Sequence, residues 1–320
     1  MITILSLTNP TSSLARLASL IAAVLAFAMA SMANAQQSFK TAEEAVDALV
    51  RAAKSGDRKG ILIVLGSDGA DIVSSGDPVA DGSARNRVIE AYDAKHQVVM
   101  EGTDKAVLII GREDWPFPIR LVRKDGTWRF DTAAGREEIL YRRIGRNELS
   151  AIQACLAYVD AQQEYAEQGV AGNGVYAQRI VSRPGKKDGL YWPAQSSADE
   201  SPLGDLAASA AAEGYRVGQQ RAPYHGYYYK ILTRQGRNAS GGALDYIVRG
   251  RMIGGFALVA YPAEYRNSGV MTFLVNHQGN VYEKDLGSNT ARIAAGMTAF
   301  NPDSTWRRVT DAAEPRGGAR

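Results

Sequence analysis

Residues Gly255–Gly287 read "GFALVAYPAEYRNSGVMTFLVNHQGNVYEKDLG". Three apolar runs are separated by short stretches rich in Pro, Gly and Asn, the residues that end strands and turn chains. Side chains alternate between the two faces of a strand, so Phe256, Leu258 and Ala260 share one face, as do Phe273 and Val275. Pro262, Gly269 and Gly279 stand where strands stop, and His277-Gln278-Gly279-Asn280 turns the last two runs. This segment commits the chain to an antiparallel sheet of consecutive hairpins. Upstream, "GYYYKILTR" adds a further strand, which predicts four strands over 226–233, 255–261, 270–276 and 280–285.

A partner for that sheet precedes it. In "LSAIQACLAYV", Leu149, Ile152, Leu156 and Val159 step by three and four residues and form one apolar stripe. Asn147 can cap the start of this helix, and the glycines of "GVAGNG" stop it near Gly169. A helix over 147–168 is expected to lay its stripe on the four strands. Between them, "LGDLAASAAAEGY" reads as a short helix.

The first half is built differently. Thr41 and Glu44 have the spacing of a capping box, followed by Ala45, Val46, Leu49, Val50 and Ala53 at helical intervals. "RKGILIVLG" reads as a second helix. A third is expected to end near "AYDAKHQVVM". "KAVLIIG" is a strand, and "FPIRLVRKDGTWRFD" is a hairpin turned by Asp125-Gly126, with Trp128 and Phe130 on one face. The expected class is α+β. Its N-terminal domain spans 36–145 and its C-terminal helix-plus-sheet domain 146–310, with a disordered tail at 311–320.

The first 35 residues form a secretory signal. "LASLIAAVLAFAMASMANA" follows a single basic residue, Arg16, and closes on Ala33-Asn34-Ala35. Cleavage is expected before Gln36, giving a periplasmic protein with no transmembrane span after signal removal. The chain has one cysteine, so no internal disulfide can form. Cys155 lies in the apolar helix and reads as a small buried hydrophobe. With 45% hydrophobic residues, 22% charged and a net charge of only +3, no polybasic surface points to nucleic acid.

Several phrases carry a resemblance: "YAQRIVSRPGKKDGLYWPA", "SPLGDLAASAAAEGY", "PYHGYYYKILTRQG" and "GRMIGGFALVAYPAEYRNSGVMTFLVNHQGNVYEKDLG". They resemble the exported bacterial family catalogued as domain of unknown function 2950, over nearly the whole mature chain. The helix followed by hairpins is also similar to the globular heads of pilins and pseudopilins. That likeness implies a head fold, with the helix mid-chain where a pilin has it at the mature N-terminus. The order of the first domain, helices then a twisted antiparallel sheet, is similar to nuclear-transport-factor-2-like folds.

Chemical motifs are sparse. The three histidines, His96, His225 and His277, have no metal-ligand spacing, and there is no cysteine cluster to hold zinc. No G-x-S-x-G, S-x-x-K or Walker loop is present. A Ser–His–Asp set is spatial rather than sequential, so Ser268, His277 and Asp285 can be neighbours across hairpins, though nothing marks Ser268 as a strained nucleophile. Glu264, Glu283 and Asp285 are loop carboxylates of the kind that hold calcium, and a solvated rim is the expected reading. The aromatics are the stronger signal, because they exceed what one buried strand face can use. Tyr191, Trp192, Tyr224, His225, Tyr227, Tyr228, Tyr229 and His277 are the candidate binding surface, aromatic anchors for a peptide or glycan. The expected function is a non-catalytic binding or assembly module of the cell envelope, with no cofactor and an envelope protein or glycan as partner. The alternatives are an envelope hydrolase or lyase acting on peptidoglycan or peptide, and an accessory component of a pilus or secretion system.

Overall fold

A computed structural model describes residues 36–196, 199–216 and 222–309. The expected signal segment and the tail at 311–320 lie outside the described residues. Two compact units are present. The first comprises the described residues up to Ala70 with Ala94–Ala134, and the second Asp71–Asp93 with Gly135 onward.

In the first unit, α1 (Ala42–Ser55) starts where Thr41 Oγ1 accepts from the Glu44 N–H at 3.1 Å. The Glu44 carboxylate takes the Lys40 N–H in return. Gly56, at φ 69°, ends the helix in the left-handed region. Asp57 then caps α2 (Arg58–Leu65) through the Gly60 N–H. Both helices pack on an antiparallel sheet ordered β1 (His96–Met100), β2 (Lys105–Ile110), β4 (Leu121–Lys124), β5 (Thr127–Phe130), with β3 (Trp115–Pro116) on β2. Asp125 and Gly126 take φ 51° and 77°, as the expected tight hairpin requires. Trp128 and Phe130 are both buried. The expected third helix ends at Ala94, inside the phrase "AYDAKHQVVM", and the "HQVVM" that closes the phrase forms β1, a strand not expected, paired with β2 from His96↔Ile110 to Met100↔Ala106. Its β-branched pair, Val98-Val99, favours the strand.

The second unit holds α3 (Ala70–Val73), which begins at the last residue of the first unit, and α4 (Pro78–Ala94). It is dominated by α5, Thr132–Glu167, whose opening residues belong to the first unit. A short α6 (Gly204–Ala212) follows. Its main sheet is fully antiparallel and combines β6 (Tyr227–Leu232), β11 (Ala257–Pro262), β12 (Met271–Asn276), β13 (Val281–Asp285) and β15 (Arg307–Arg308), in the order β15-β13-β12-β11-β6. The four expected strands are all present. Arg307-Arg308 adds a fifth, in register with Glu283 and Tyr282, and the two arginine side chains donate to Glu283 and Asn280. Smaller pairings come from β7 (Arg234–Gln235), β8 (Leu244–Asp245), β9 (Ile247–Val248), β10 (Arg251–Met252) and β14 (Ala299–Phe300).

Asn147 does not start a helix. It is buried inside α5, where its amide donates to the Ser268 carbonyl at 2.9 Å. The expected boundary at Gly145 also falls inside α5. A single glycine costs a helix interior only about 1 kcal/mol, too little to break one of this length.

The stripe itself is rotated. Ile152 and Val159 are buried and Leu156 half-buried, but Leu149 is 54% exposed. The residues that share the core with the sheet are Ala151, Ile152, Cys155, Tyr158 and Val159, and Gln162 is buried beside them. Gln162 is satisfied there by donating to the Tyr158 hydroxyl and the Ala177 carbonyl and accepting the Ala177 N–H.

The central strand β11 is buried from Ala257 to Ala260, on both faces rather than one. The cover opposite α5 comes from α7 (Thr290–Gly296), which packs on β11 and ends against the Lys230 ammonium. A cation at a helix C-terminus satisfies its last carbonyls. A strand covered on both sides reads as a continuous apolar run, as "FALVA" does.

Candidate functional site

The candidate aromatics do not form one surface. Tyr227 is fully buried, packed on Phe273 with centroids 5.8 Å apart, and its hydroxyl donates to the Met271 carbonyl. Trp192 is also core, edge-on to Tyr165, with the Lys187 ammonium 5.3 Å from its ring centre. Tyr191 is half-buried and bridges Val181. Tyr228 points to the opposite face from Tyr227, as strand alternation demands, and pairs with Tyr261 at 5.6 Å. His277 follows the far end of β12, edge-on to Tyr246 and Phe256. Burial lowers its pKa, and its Nδ1 is buried with no hydrogen-bond partner among the described residues.

What does assemble is a ledge of Tyr224 and His225, joined by Tyr215, which the sequence reading missed. Ring centres lie 5.1 Å apart for Tyr215–Tyr224 and 4.2 Å for Tyr224–His225. Tyr229 closes the group at 6.5 Å from Tyr224. All four are half-buried.

The ledge stands on a buried carboxylate. Asp77 is 1% exposed. Its Oδ2 accepts from the Tyr215 hydroxyl and from the Gly226 N–H, each at 2.9 Å. Its Oδ1 accepts from the N–H groups of Val79 and Ala80, capping α4 at an Asp-Pro start. Tyr215 in turn accepts the His225 N–H at 3.3 Å, and His225 adopts φ 49°. Burial, then the Asp77 charge, raises the Tyr215 pKa; burial also raises that of Tyr224. Neither phenol is set up to ionise near neutrality.

The segment carrying Asp77 is strapped into its unit. Arg143, on α5, donates to the carbonyls of Asp71 and Ile72 and to Asn267 Oδ1, each at 2.6 Å. Asn267 donates to the Ser74 carbonyl and to Glu264. Burial lowers the Arg143 pKa, opposed by the charges of Asp81, Asp71 and Glu264.

Other chemical readings are limited by geometry. His225 Nε2 lies 3.5 Å from Glu213 Oε2. Its neighbouring hydroxyl, on Tyr215, already donates to Asp77. Ser268 and His277 lie beyond opposite ends of six-residue β12, ~20 Å apart at ~3.3 Å per residue, so the hydrolytic set is not assembled. Asp285 pairs with Met271 at the Ser268 end and accepts the Tyr265 hydroxyl. Glu264, Glu283 and Asp285 each have their own protein partner, and no metal-holding group of three ligands occurs among the described residues. Cys155 is fully buried, and desolvation pushes its thiol up to about 12. Among the described residues no helix is long and apolar enough to cross a membrane.

Comparison with curated proteins and with solved structures gives no match, so the pilin-head likeness is not confirmed. A family model matches residues 36–309, and the chain belongs to the family described as protein of unknown function (DUF2950).

Proposed function

We propose that this chain is an exported, non-catalytic binding or assembly module of the bacterial cell envelope, and that the Tyr224–His225 ledge is its contact surface. The observation that carries the reading is Asp77, a buried carboxylate committed to holding Tyr215 and the Gly226 backbone in place. Half-exposed aromatic rings fixed before a partner arrives lose little conformational entropy on binding. They also offer the flat, amphipathic area that anchors peptides and sugars. Export rests on the signal-like start of the sequence.

Chemical crosslinking in intact envelopes tests the contact surface. Partners captured by the wild-type protein are expected to be lost with Tyr224→Ala and kept with Tyr141→Ala, a substitution at an exposed residue of α5. Equal capture by both variants would remove the ledge from the account. Intact-mass analysis of the envelope protein checks export, with cleavage expected before Gln36. The hydrolase alternative has the His225–Glu213 pair to stand on. It requires envelope-degrading activity that His225→Gln abolishes. The pilus or secretion reading has the helix-on-sheet arrangement of the second unit.

A further inference from the structure

A groove in the second unit, separate from the tyrosine ledge, has the chemistry of an anion site. Its cavity of about 280 Å³ is lined by residues that include Tyr165, Ala177, Arg179, Arg183, Asp188 and Arg251. Three arginines and one carboxylate line it, a formal balance of +2 in a chain whose net charge is only +3.

The walls are fixed by their own hydrogen bonds. On one side, Gln178 donates to the Gly250 carbonyl at 2.8 Å, and the Tyr176 N–H donates to the Met252 carbonyl at 2.8 Å. On the other, Asp188 accepts from Arg183 through both the backbone N–H and Nε, at 2.9 and 2.6 Å, and lies 3.6 Å from Arg179. The Tyr165 hydroxyl donates to the Lys187 carbonyl at 2.8 Å. Asp188 occupies Arg183. Arg251 has no carboxylate partner among the described residues. Its guanidinium passes so close to Gly172 that a Cβ there would lie 2.6 Å from a terminal nitrogen.

We infer that this groove binds a small carboxylate-bearing ligand, with Arg251 as its anchor and Arg179 as the second cation. Asp188 already shows how a carboxylate sits among these arginines. The guanidinium fork suits a second group of the same geometry. The cavity falls just below the usual size of ligand pockets, ~300–1,000 Å³, and admits a group the size of an amino acid or a monosaccharide. A free peptide C-terminus and a sugar acid share this chemistry.

Calorimetric titration of the full mature chain separates them. The probes are acetyl-dialanine beside its C-terminal amide, glucuronic acid beside glucose, and inorganic phosphate. At least one acid is expected to saturate at millimolar concentration, with its neutral counterpart about tenfold weaker or more. Binding of acetyl-dialanine alone assigns the peptide source, of glucuronate alone the sugar source, and of both a groove that reads the carboxylate only. Arg251→Ala should weaken the acid by about tenfold, and Arg251→Lys should recover part of it. Arg251 is exposed, and an unchanged melting temperature confirms that the variant is folded. The inference is overturned if neither acid saturates, if the amide and glucose bind as well as the acids, if phosphate alone binds, or if Arg251→Ala leaves the affinity unchanged. The acid–neutral comparison needs no variant, and none of these readouts involves the ledge.

Discussion

Asp77 accepts hydrogen bonds from Val79, Ala80, Tyr215 and Gly226 while almost fully buried. Removing it leaves donors from two distant parts of the chain without an acceptor and uncaps α4. Asp77→Ala is expected to lower stability by about 2–4 kcal/mol in urea unfolding, the sum of a lost cap and lost charge-assisted bonds. Tyr215→Phe, which removes one hydroxyl, should cost about 1–2 kcal/mol. The Asp77-Pro78 helix start was passed over in the sequence, and the remaining partners, Tyr215 and Gly226, lie 138 and 149 residues away, beyond the reach of any local pattern. His277 gives a pH dependence. Burial lowers its pKa from 6.5, so the unfolded chain binds the proton more readily than the folded one. Its contribution to stability is therefore full above about pH 6.5 and falls as the pH drops from there toward its depressed folded value. His277→Asn should flatten that part of a plot of urea midpoint against pH.

At the scale of the element, α5 shows how a correct stripe can be misread by one position. Leu149, Ile152, Leu156 and Val159 are evenly spaced, yet the sheet takes the face centred on Cys155 and Tyr158, which carries Ala151 and Gln162 as well. Small and polar side chains weigh little in an apolar pattern, so the contact they permit is hidden there. Close approach of helix to sheet is what their size allows. Ile152→Ala should cost about 2–4 kcal/mol and Leu149→Ala no more than about 0.5 kcal/mol. Gly145 meets open space where a Cβ would stand. Gly145→Ala should therefore stabilise the protein by about 0.5–1 kcal/mol. Thermal melts of the three variants check the ranking. The four central strands of the main sheet were legible, because turn residues and alternation mark them locally, whereas β1 and the two-residue β15 were not. The second cover on β11 was not, since α7 lies about 30 residues beyond the strand it covers and no local pattern in β11 names it.

For the whole molecule, the assignment of Asp71–Asp93 to the second unit decides what can be separated. A cut at Gly145 strands Asp77 and Arg143 in one fragment and Tyr215, Gly226 and Asn267 in the other. The fragment 146–309 alone is expected to show no cooperative unfolding by circular dichroism, whereas mixing it with 36–145 should restore part of the transition. Cooperative unfolding of 146–309 alone at full-chain stability would show that the strap is dispensable. The same arrangement sets a clock on synthesis. The Gly226 N–H that binds Asp77 leaves the ribosome 149 residues after it, a delay of about 7–30 s at ~5–20 residues per second. For that time the buried carboxylate of the finished protein is a charge in water on a nascent chain, available to any chaperone that reads unfinished segments.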